Sequence, residues 1–377
     1  MGLLNGIIDY LVPFVVVLTV LVFVHELGHY LIARWNKVRV EVFSIGFGPE
    51  LFGWNDRAGT RWKVSALPLG GYVRMFGEGD PVADERDGAA TLSAEERAVS
   101  FKHKRLMQRV AVVVAGPAAN FIFAVLAFAV VFATVGQSVT TPVVGKVMPH
   151  SVAAAAGFQP GDRFVSVAGT PISRFEQIQQ IIGLNTGTPV TIVLDRHGHD
   201  VRLTATPRMV TETDRFGNRH HTALLGVQAR AGSLVRLGPA TALWHGVRQT
   251  WAVTAGTLEA LGQMIDGRRS GAGLSGPVGI VRMSGEVAES GIAALIGFMA
   301  VLSINLGLVN LFPIPILDGG HLLFYAAEAV RGKPLGHRAQ EYGFRLGLAL
   351  VLTLMVFATW NDLTRLHIVE FIKGLMT

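Results

Sequence analysis

Residues 23–30 read Phe-Val-His-Glu-Leu-Gly-His-Tyr and lie inside a long apolar run near the start of the chain. On a helix of about 3.6 residues per turn, His25 and His29 stand about 40° apart around the axis, with Glu26 about 60° beyond His29. All three share one face. Two neutral imidazoles at i and i+4 can hold one Zn²⁺, and a glutamate beside them can take a proton from a water whose pKa the metal lowers to about 7. The competing reading is polar contact between helices, with the same side chains hydrogen-bonding across a bundle. Their setting argues for chemistry, because a charged side chain at mid-bilayer costs about 2.5–3.5 kcal/mol on insertion scales. The chain has no cysteine, so a zinc site must be built from His and carboxylate, and a disulfide framework is excluded.

A second stretch with chemical potential is Asn310-Leu311-Phe312-Pro313-Ile314-Pro315-Ile316-Leu317-Asp318-Gly319-Gly320-His321. Its two prolines interrupt an apolar helix, and unwound backbone at membrane depth is tolerated only where protein buries it or it lines a watery cavity. Asp318 is the candidate third ligand. His321 lies past the glycine pair and Glu328 two turns further on, which makes both poorer candidates; a helix-capping role is the alternative for Asp318. A third stretch, Gly116-Pro117-Ala118-Ala119-Asn120-Phe121, places an amide in apolar surroundings. Asn120 can hydrogen-bond a substrate or a neighbouring helix.

Half of the 377 residues are hydrophobic and the formal net charge is +6. The mean hydropathy of +0.42 lies well above that of an ordinary soluble domain, so the composition predicts a membrane protein. Lys and Arg flank apolar runs and form no basic stripe, which favours lipid headgroups as partner and excludes nucleic acid. Apolar segments run from about Tyr10 to Ala33, Val110 to Val135, Gly291 to Leu317 and Leu346 to Trp360. The first three exceed the roughly 20 residues that cross a bilayer; the last needs its flanks, with Arg345 snorkelling. Asp9 and the lack of any preceding Lys or Arg set the first segment apart from a signal peptide, so it is expected to stay attached. Arg34, Lys37 and Arg39 follow that segment, Lys102, Lys104, Arg105 and Arg109 lead into the second, and Arg331, Lys333 and Arg338 separate the third from the fourth. The positive-inside rule then puts these loops in the cytoplasm and both termini outside, although Arg268, Arg269 and Arg282 ahead of the third segment dilute the signal. His25, His29 and Asp318 fall at one depth, toward the cytoplasmic face.

Between the first two segments, Val38 to Ile45 alternates as a strand does and ends at Gly46-Phe47-Gly48-Pro49. Arg61 to Ala66 and Tyr72 to Phe76 flank Leu67-Pro68-Leu69-Gly70-Gly71, which predicts a hairpin lying against the membrane. It serves either as an edge that pairs with an extended substrate or as a cover over the cytoplasmic mouth. Residues 80–96 are acidic and polar, with Ser93 and Glu96 spaced as a capping box. From about 140 to 208 the composition becomes that of a soluble domain, and Ser151 to Asp162, "SVAAAAGFQPGD", with its flanking strands resembles a permuted bacterial PDZ domain. Trp244, Val247, Trp251, Leu258, Leu261 and Ile265 recur at helical spacing, which predicts an amphipathic helix at the outer membrane surface or against the PDZ domain.

The predicted fold is therefore a multi-pass α-helical membrane protein, with four transmembrane helices, a membrane-associated β-hairpin or sheet and one inserted PDZ domain. Its divisions are 1–35 (first span), 36–105 (sheet and loop), 106–136 (second span), 140–208 (PDZ), 209–288 (a PDZ-to-membrane region), 289–322 (third span with Asp318), 323–340 (cytoplasmic loop), 341–364 (fourth span) and 365–377 (tail).

Taken together, the HExxH of the first span, the Gly-Pro-x-x-Asn-Phe of the second, the inserted PDZ domain and the Asn-x-x-Pro-x-Pro-x-Leu-Asp-Gly of the third resemble the site-2 protease family of intramembrane zinc metalloproteases, in its bacterial regulator-of-sigma-E protease branch. The resemblance covers nearly the whole chain. It implies one Zn²⁺ held by His25, His29 and Asp318, with Glu26 as catalytic base, in a bacterial inner membrane. It further implies that Asn310 helps to hold substrate and that the hairpin around Leu67 to Tyr72 pairs with it; Leu69, Gly70, Gly71, Pro313, Pro315 and Asn120 complete the expected substrate contacts. The expected substrate is a single-pass membrane protein already shortened by an earlier cut, with the extracytoplasmic PDZ domain excluding bulkier ones or gripping a peptide. One PDZ domain stands here where well-known members of the branch have two. The rival readings are a PDZ-bearing membrane scaffold, which has no need of a base beside two ligands, and a metal transporter, which would need a polar relay across the bilayer.

Overall fold

The computed structural model describes residues 2–77, 92–139, 141–172, 175–185, 187–213, 219–230, 233–267 and 276–365. The chain forms two compact units, one of Met1–Val131 with Pro239–Thr377 and one of Phe132–Gly238. The first unit opens with α1 (Gly2–Trp35), β1 (Val40–Asn55), β2 (Arg61–Met75), α2 (Ala94–Val99) and α3 (Leu106–Thr134). The second holds β3 (Gln137–Val139), β4 (Val144–Val147), α4 (Val152–Ala156), β5 (Arg163–Val167), β6 (Thr170–Pro171), α5 (Phe175–Leu184), β7 (Val190–Arg196), β8 (His199–Ala205), β9 (Arg208–Thr213), β10 (Arg219–Leu224), β11 (Val227–Ala229) and β12 (Ser233–Val235). The chain then returns to the first unit with α6 (Pro239–Ile265), α7 (Pro277–Glu289), α8 (Ile292–Leu311), α9 (Asp318–Arg331) and α10 (His337–Arg365).

Among the described residues, four helices are long and apolar enough to cross a membrane, over Ile8–Trp35, Leu106–Thr134, Ile292–Leu311 and Arg338–Asp362. Each exceeds or matches the roughly 20 residues that about 30 Å of hydrocarbon requires. Uniform apolarity in such segments leaves side chains on several faces free for lipid, and the last span is almost entirely exposed.

The sheet departs from the expected hairpin. β1 continues past Gly46-Phe47-Gly48-Pro49 to Asn55, and β2 runs unbroken through Leu67–Gly71 to Met75. β1 pairs antiparallel with β2, Val40 facing Met75 and Ile45 facing Gly71, while Phe47 to Asn55 face Leu67 back to Arg61. Val42 to Ile45 take a second set of partners, Arg61 to Val64, in ascending order. Both strands therefore bend back on themselves, β1 at Gly46 (φ 90°) and Gly48 (φ 87°) and β2 at Gly70 (φ 133°), where a side chain would be strained. The glycine clusters do mark reversals, but the ladder runs through them. The sheet docks on α1 through aromatic rings: Phe43 stacks on Trp62 at 4.2 Å, and Tyr30 meets Trp62 edge-on at 5.1 Å. The Tyr30 hydroxyl and Trp62 Nε1–H both donate to Asp56 at the tight turn between the strands.

Residues 323–340, expected as a cytoplasmic loop, are mostly helix. α9 runs to Arg331 and stops at Gly332 in a left-handed conformation (φ 68°); its Leu, Ala and Glu residues favour helix, and the left-handed glycine ends it. The span expected over 289–322 is likewise two elements. α8 ends at Leu311, residues 312–317 form bends and a turn with a bridge between Pro315 and Leu317, and Asp318 opens α9. Pro313 and Pro315 have no N–H to continue the ladder. Ile316 sits at φ 109°, a conformation costing about 1–3 kcal/mol for a residue with a side chain.

Residues 209–238, assigned from sequence to a linking region, belong to the second unit. β11 pairs with β4 and β12 with β3, closing the unit with the strands that opened it, a pairing that local periodicity does not reveal. Its core packs Val144, Phe158, Phe164, Ile178, Ile182, Ile192 and Leu194, and Asp162 is held by Arg196 Nε and Nη2 at 2.7 Å. Burial opposes the Asp162 charge, but the Arg196 contacts and the Gln159 amide hold its pKa below the ordinary carboxylate range. The stripe of α6 faces outward, with Trp244, Trp251 and Ile265 exposed. Its opposite face is small, and Gly246 lies against the Val125 carbonyl of α3 while Thr257 hydrogen-bonds Asn305 of α8. The helix thus packs on the spans. Ser93 and Glu96 form both halves of a capping box on α2; positions 80–91 of the acidic stretch and the tail beyond 365 lie outside the described residues.

Candidate metal centre

His25 and His29 come from one turn of α1, and Asp318 is the first residue of α9. Their ligand atoms lie within 4.8 Å of one another. His25 Nε2 is 3.2 Å from His29 Nε2 and 3.2 Å from Asp318 Oδ2, and His29 Nε2 is 3.6 Å from Asp318 Oδ1. Ligands bound to zinc at about 2.0–2.1 Å in a tetrahedron stand roughly 3.3 Å apart, so these spacings are the edges of such a site. Asp318 Oδ2 is buried and, despite its nearness to His25, makes no hydrogen bond of acceptable geometry. A buried carboxylate oxygen with a free lone pair is costly unless a cation uses it.

α3 supplies the support. His29 Nδ1 lies 2.9 Å from the Val112 carbonyl, which can only accept, so Nδ1 carries the proton and Nε2 keeps its lone pair. One residue on, the Val113 carbonyl has no helical N–H to accept from, because Pro117 stands four residues ahead of it. Asn120, fully buried, places its amide 3.1 Å from His25 Nδ1. Gly116 lies between the two histidines, and a Cβ there would stand 2.2 Å from His29 Nε2 and 2.9 Å from His25 Cε1. Only a glycine lets α3 approach this closely.

A cavity of about 580 Å³ opens on the centre and is lined by Glu26, Tyr72, Val73, Asn310, His321 and Glu328 together with His25, His29 and Asp318. The Val73 backbone N–H meets the Glu26 carboxylate, and a Cβ on Gly71 would touch Val22 and Glu26. The outer edge of β2 thus runs beside the base. The predicted residues divide accordingly. His25, Glu26, His29, Asp318 and Asn310 meet at the cavity, Gly71 lies against Val22 and Glu26 without lining it, and Asn120 stands behind His25. Gly70 packs instead on the Phe47 ring, Pro313 is exposed, and Pro315 lies against Gly347 of α10; Leu69 belongs to the strand β2. His321 also lines the cavity with its ring 5.5 Å from Phe344. Glu328, weighed as a ligand, pairs with Arg109 of α3, whose guanidinium lies 4.9 Å from the centre of the Tyr325 ring.

Sequence reasoning missed the Val112 carbonyl, because a main-chain acceptor has no residue type, and the Arg109–Glu328 pair, where both charges were visible but not their partnership.

Fold and centre define a metalloprotease that uses zinc, built on helices of membrane length, and the chain belongs to Peptidase family M50, whose model matches residues 13–354. A protein named as a zinc metalloprotease in Agrobacterium fabrum is 46% identical over 97% of this chain and 97% of its own. Another so named in Rhizobium meliloti is 45% identical over 96% of this chain and 99% of its own. The metalloprotease MmpA of Caulobacter vibrioides is 40% identical, covering 99% of this chain and all of the relative, 100%. Among solved structures, the PDZ domain of an SdrC-like protein from Listeria monocytogenes is 16% identical, covers 25% of this chain and 90% of its own, and has a TM-score of 0.20.

Proposed function

We propose that this protein is an intramembrane endopeptidase that hydrolyses a peptide bond within or beside the transmembrane segment of single-pass membrane proteins. Its substrates are anti-sigma-factor-like proteins already cut once, or signal-peptide remnants, as in regulated intramembrane proteolysis. The observation that carries this reading is that Glu26, the three ligands and the edge of β2 share one cavity among helices of membrane length.

A transmembrane helix shields its peptide bonds with its own hydrogen bonds, and in lipid those bonds must be replaced once the helix unwinds. The β2 edge from Leu69 and Gly70 through Gly71 to Val73 offers replacement as an added strand. Asn310 faces the same cavity and can hold the substrate backbone. Zinc, when bound by His25, His29 and Asp318, supplies Lewis acidity toward the carbonyl and a lowered pKa for water. Glu26 accepts the proton of the attacking water on its carboxylate and delivers it to the departing amide nitrogen. The basic flanks support a reading in which the centre lies toward the cytoplasm in a bacterial inner membrane and unit Phe132–Gly238 lies outside. That unit, read as a PDZ domain, excludes substrates that keep a bulky outer portion.

The test is purified full-length protein with a model single-pass substrate. Glu26→Gln is expected to keep its zinc and lose cleavage by about 10²–10⁴-fold, the usual worth of a general base. His29→Phe is expected to lose zinc. Undiminished cleavage by the first variant, or full zinc in the second, sinks the reading.

A further inference from the structure

Asn120 is the one polar side chain of the Gly-Pro-Ala-Ala-Asn stretch, and it is 0% exposed. Its carbonyl accepts from Ser303 Oγ at 3.0 Å, which holds its backbone to α8. Among the described residues its side-chain amide meets only His25 Nδ1, at 3.1 Å, and its buried Oδ1 has no partner.

The rings of both histidines converge through Nε2, so Nδ1 of each points away from the centre. A histidine that gives Nε2 to a metal must carry its proton on Nδ1, and that N–H needs an acceptor. For His29 the acceptor is the Val112 carbonyl. For His25 the neighbour in that place is Asn120. As placed, Nδ2 faces the ring and Oδ1 is the orphan; a half-turn of the amide exchanges them. The exchange gives the Nδ1–H its acceptor.

The geometry points to Asn120 as the positioning residue of His25: its amide oxygen accepts the His25 Nδ1–H, fixing the ring and the tautomer that leaves Nε2 free for zinc. α3 then supplies the outer acceptor of both ligands, one from its main chain and one from a side chain. This gives Asn120 a role different from substrate contact or helix pairing, and it rests on the zinc reading of the centre.

The experiment compares the full-length protein with Asn120→Ala, Asn120→Leu and Asn120→Asp, measuring zinc affinity by chelator competition, the absorption spectrum of the Co²⁺ form, and thermal unfolding. Loss of the acceptor in Asn120→Ala and Asn120→Leu is expected to weaken zinc about 10- to 100-fold, as for other outer partners of ligating histidines, and to alter the Co²⁺ spectrum. Asn120→Asp, which keeps an acceptor, is expected to retain affinity close to the unaltered protein. Affinity and spectrum unchanged in Asn120→Ala, whether its stability or its KM moves, overturn the inference, as does an Asn120→Asp variant no better than alanine. His29→Phe separates the two levels: zinc lost there but kept in Asn120→Ala refutes only the role of Asn120, whereas zinc kept in His29→Phe refutes the centre itself.

Discussion

Gly116 of α3 faces His29 of α1 so closely that a methyl group at position 116 would stand 2.2 Å from Nε2. The space that a side chain would take is the space in which the two imidazoles converge. Gly116→Ala is therefore expected to weaken zinc binding by about 100-fold or more, beyond the loss of a single outer partner. Metal content after dialysis against a weak chelator reads this directly. Full occupancy would mean that α3 can withdraw without disturbing the ligands.

Removal of zinc is expected to lower thermal stability as well as activity, because the proposed ligands His25, His29 and Asp318 join α1 to α9 from nearly opposite ends of the chain. A ligand present at about 100 times its Kd stabilises the folded state by about 2.7 kcal/mol. The melting temperature should fall on treatment with a chelator and recover on adding Zn²⁺ but not Mg²⁺, which prefers an all-oxygen octahedron. The same experiment on Asp318→Ala should show no zinc-dependent rise.

Arg109 and Glu328 form an ion pair with side chains 14% and 17% exposed, linking α3 to the helix that begins with Asp318. Removing one partner strands the other charge, which costs about 3–5 kcal/mol for a buried pair. Glu328→Gln and Arg109→Met are each expected to destabilise the protein in thermal unfolding. The exchange Arg109→Glu with Glu328→Arg should recover much of that loss, and no recovery would show that the pair does not act as a unit.

Burial works against the charge of Asp56, but the Thr60 amide, Trp62 Nε1–H, the Tyr30 hydroxyl and the Ala58 amide outweigh it and hold the pKa at about 2, down from 3.8. A carboxyl depressed on folding contributes stability that is present above its unfolded pKa and is lost as pH falls through the folded value. The docking of the β1–β2 turn on α1 should accordingly weaken between about pH 4 and pH 2. Melting temperature against pH is the measurement, and Asp56→Asn should flatten the curve in that window.

What the sequence by itself determined was everything carried by short-range spacing. Helical periodicity puts His25, Glu26 and His29 on one face, Pro313 and Pro315 forbid a continuous helix ahead of Asp318, Ser93 and Glu96 cap α2, and uniform apolarity marks the spans. Each of these depends on residues within a turn or two of one another, where backbone geometry alone dictates the outcome. Only the tertiary structure shows which of Asp318, His321 and Glu328 stands with the histidines: the first is 3.2 Å from His25, the second packs on Phe344, and the third goes to Arg109. It likewise joined β11 and β12 to β4 and β3, and it brought the Val112 carbonyl and the Asn120 amide of α3 to the two histidines. Contacts between distant segments leave no periodic mark, and a backbone carbonyl has no residue type to betray it. Half of the centre is therefore written in five consecutive residues, and the other half exists only once the helices have packed.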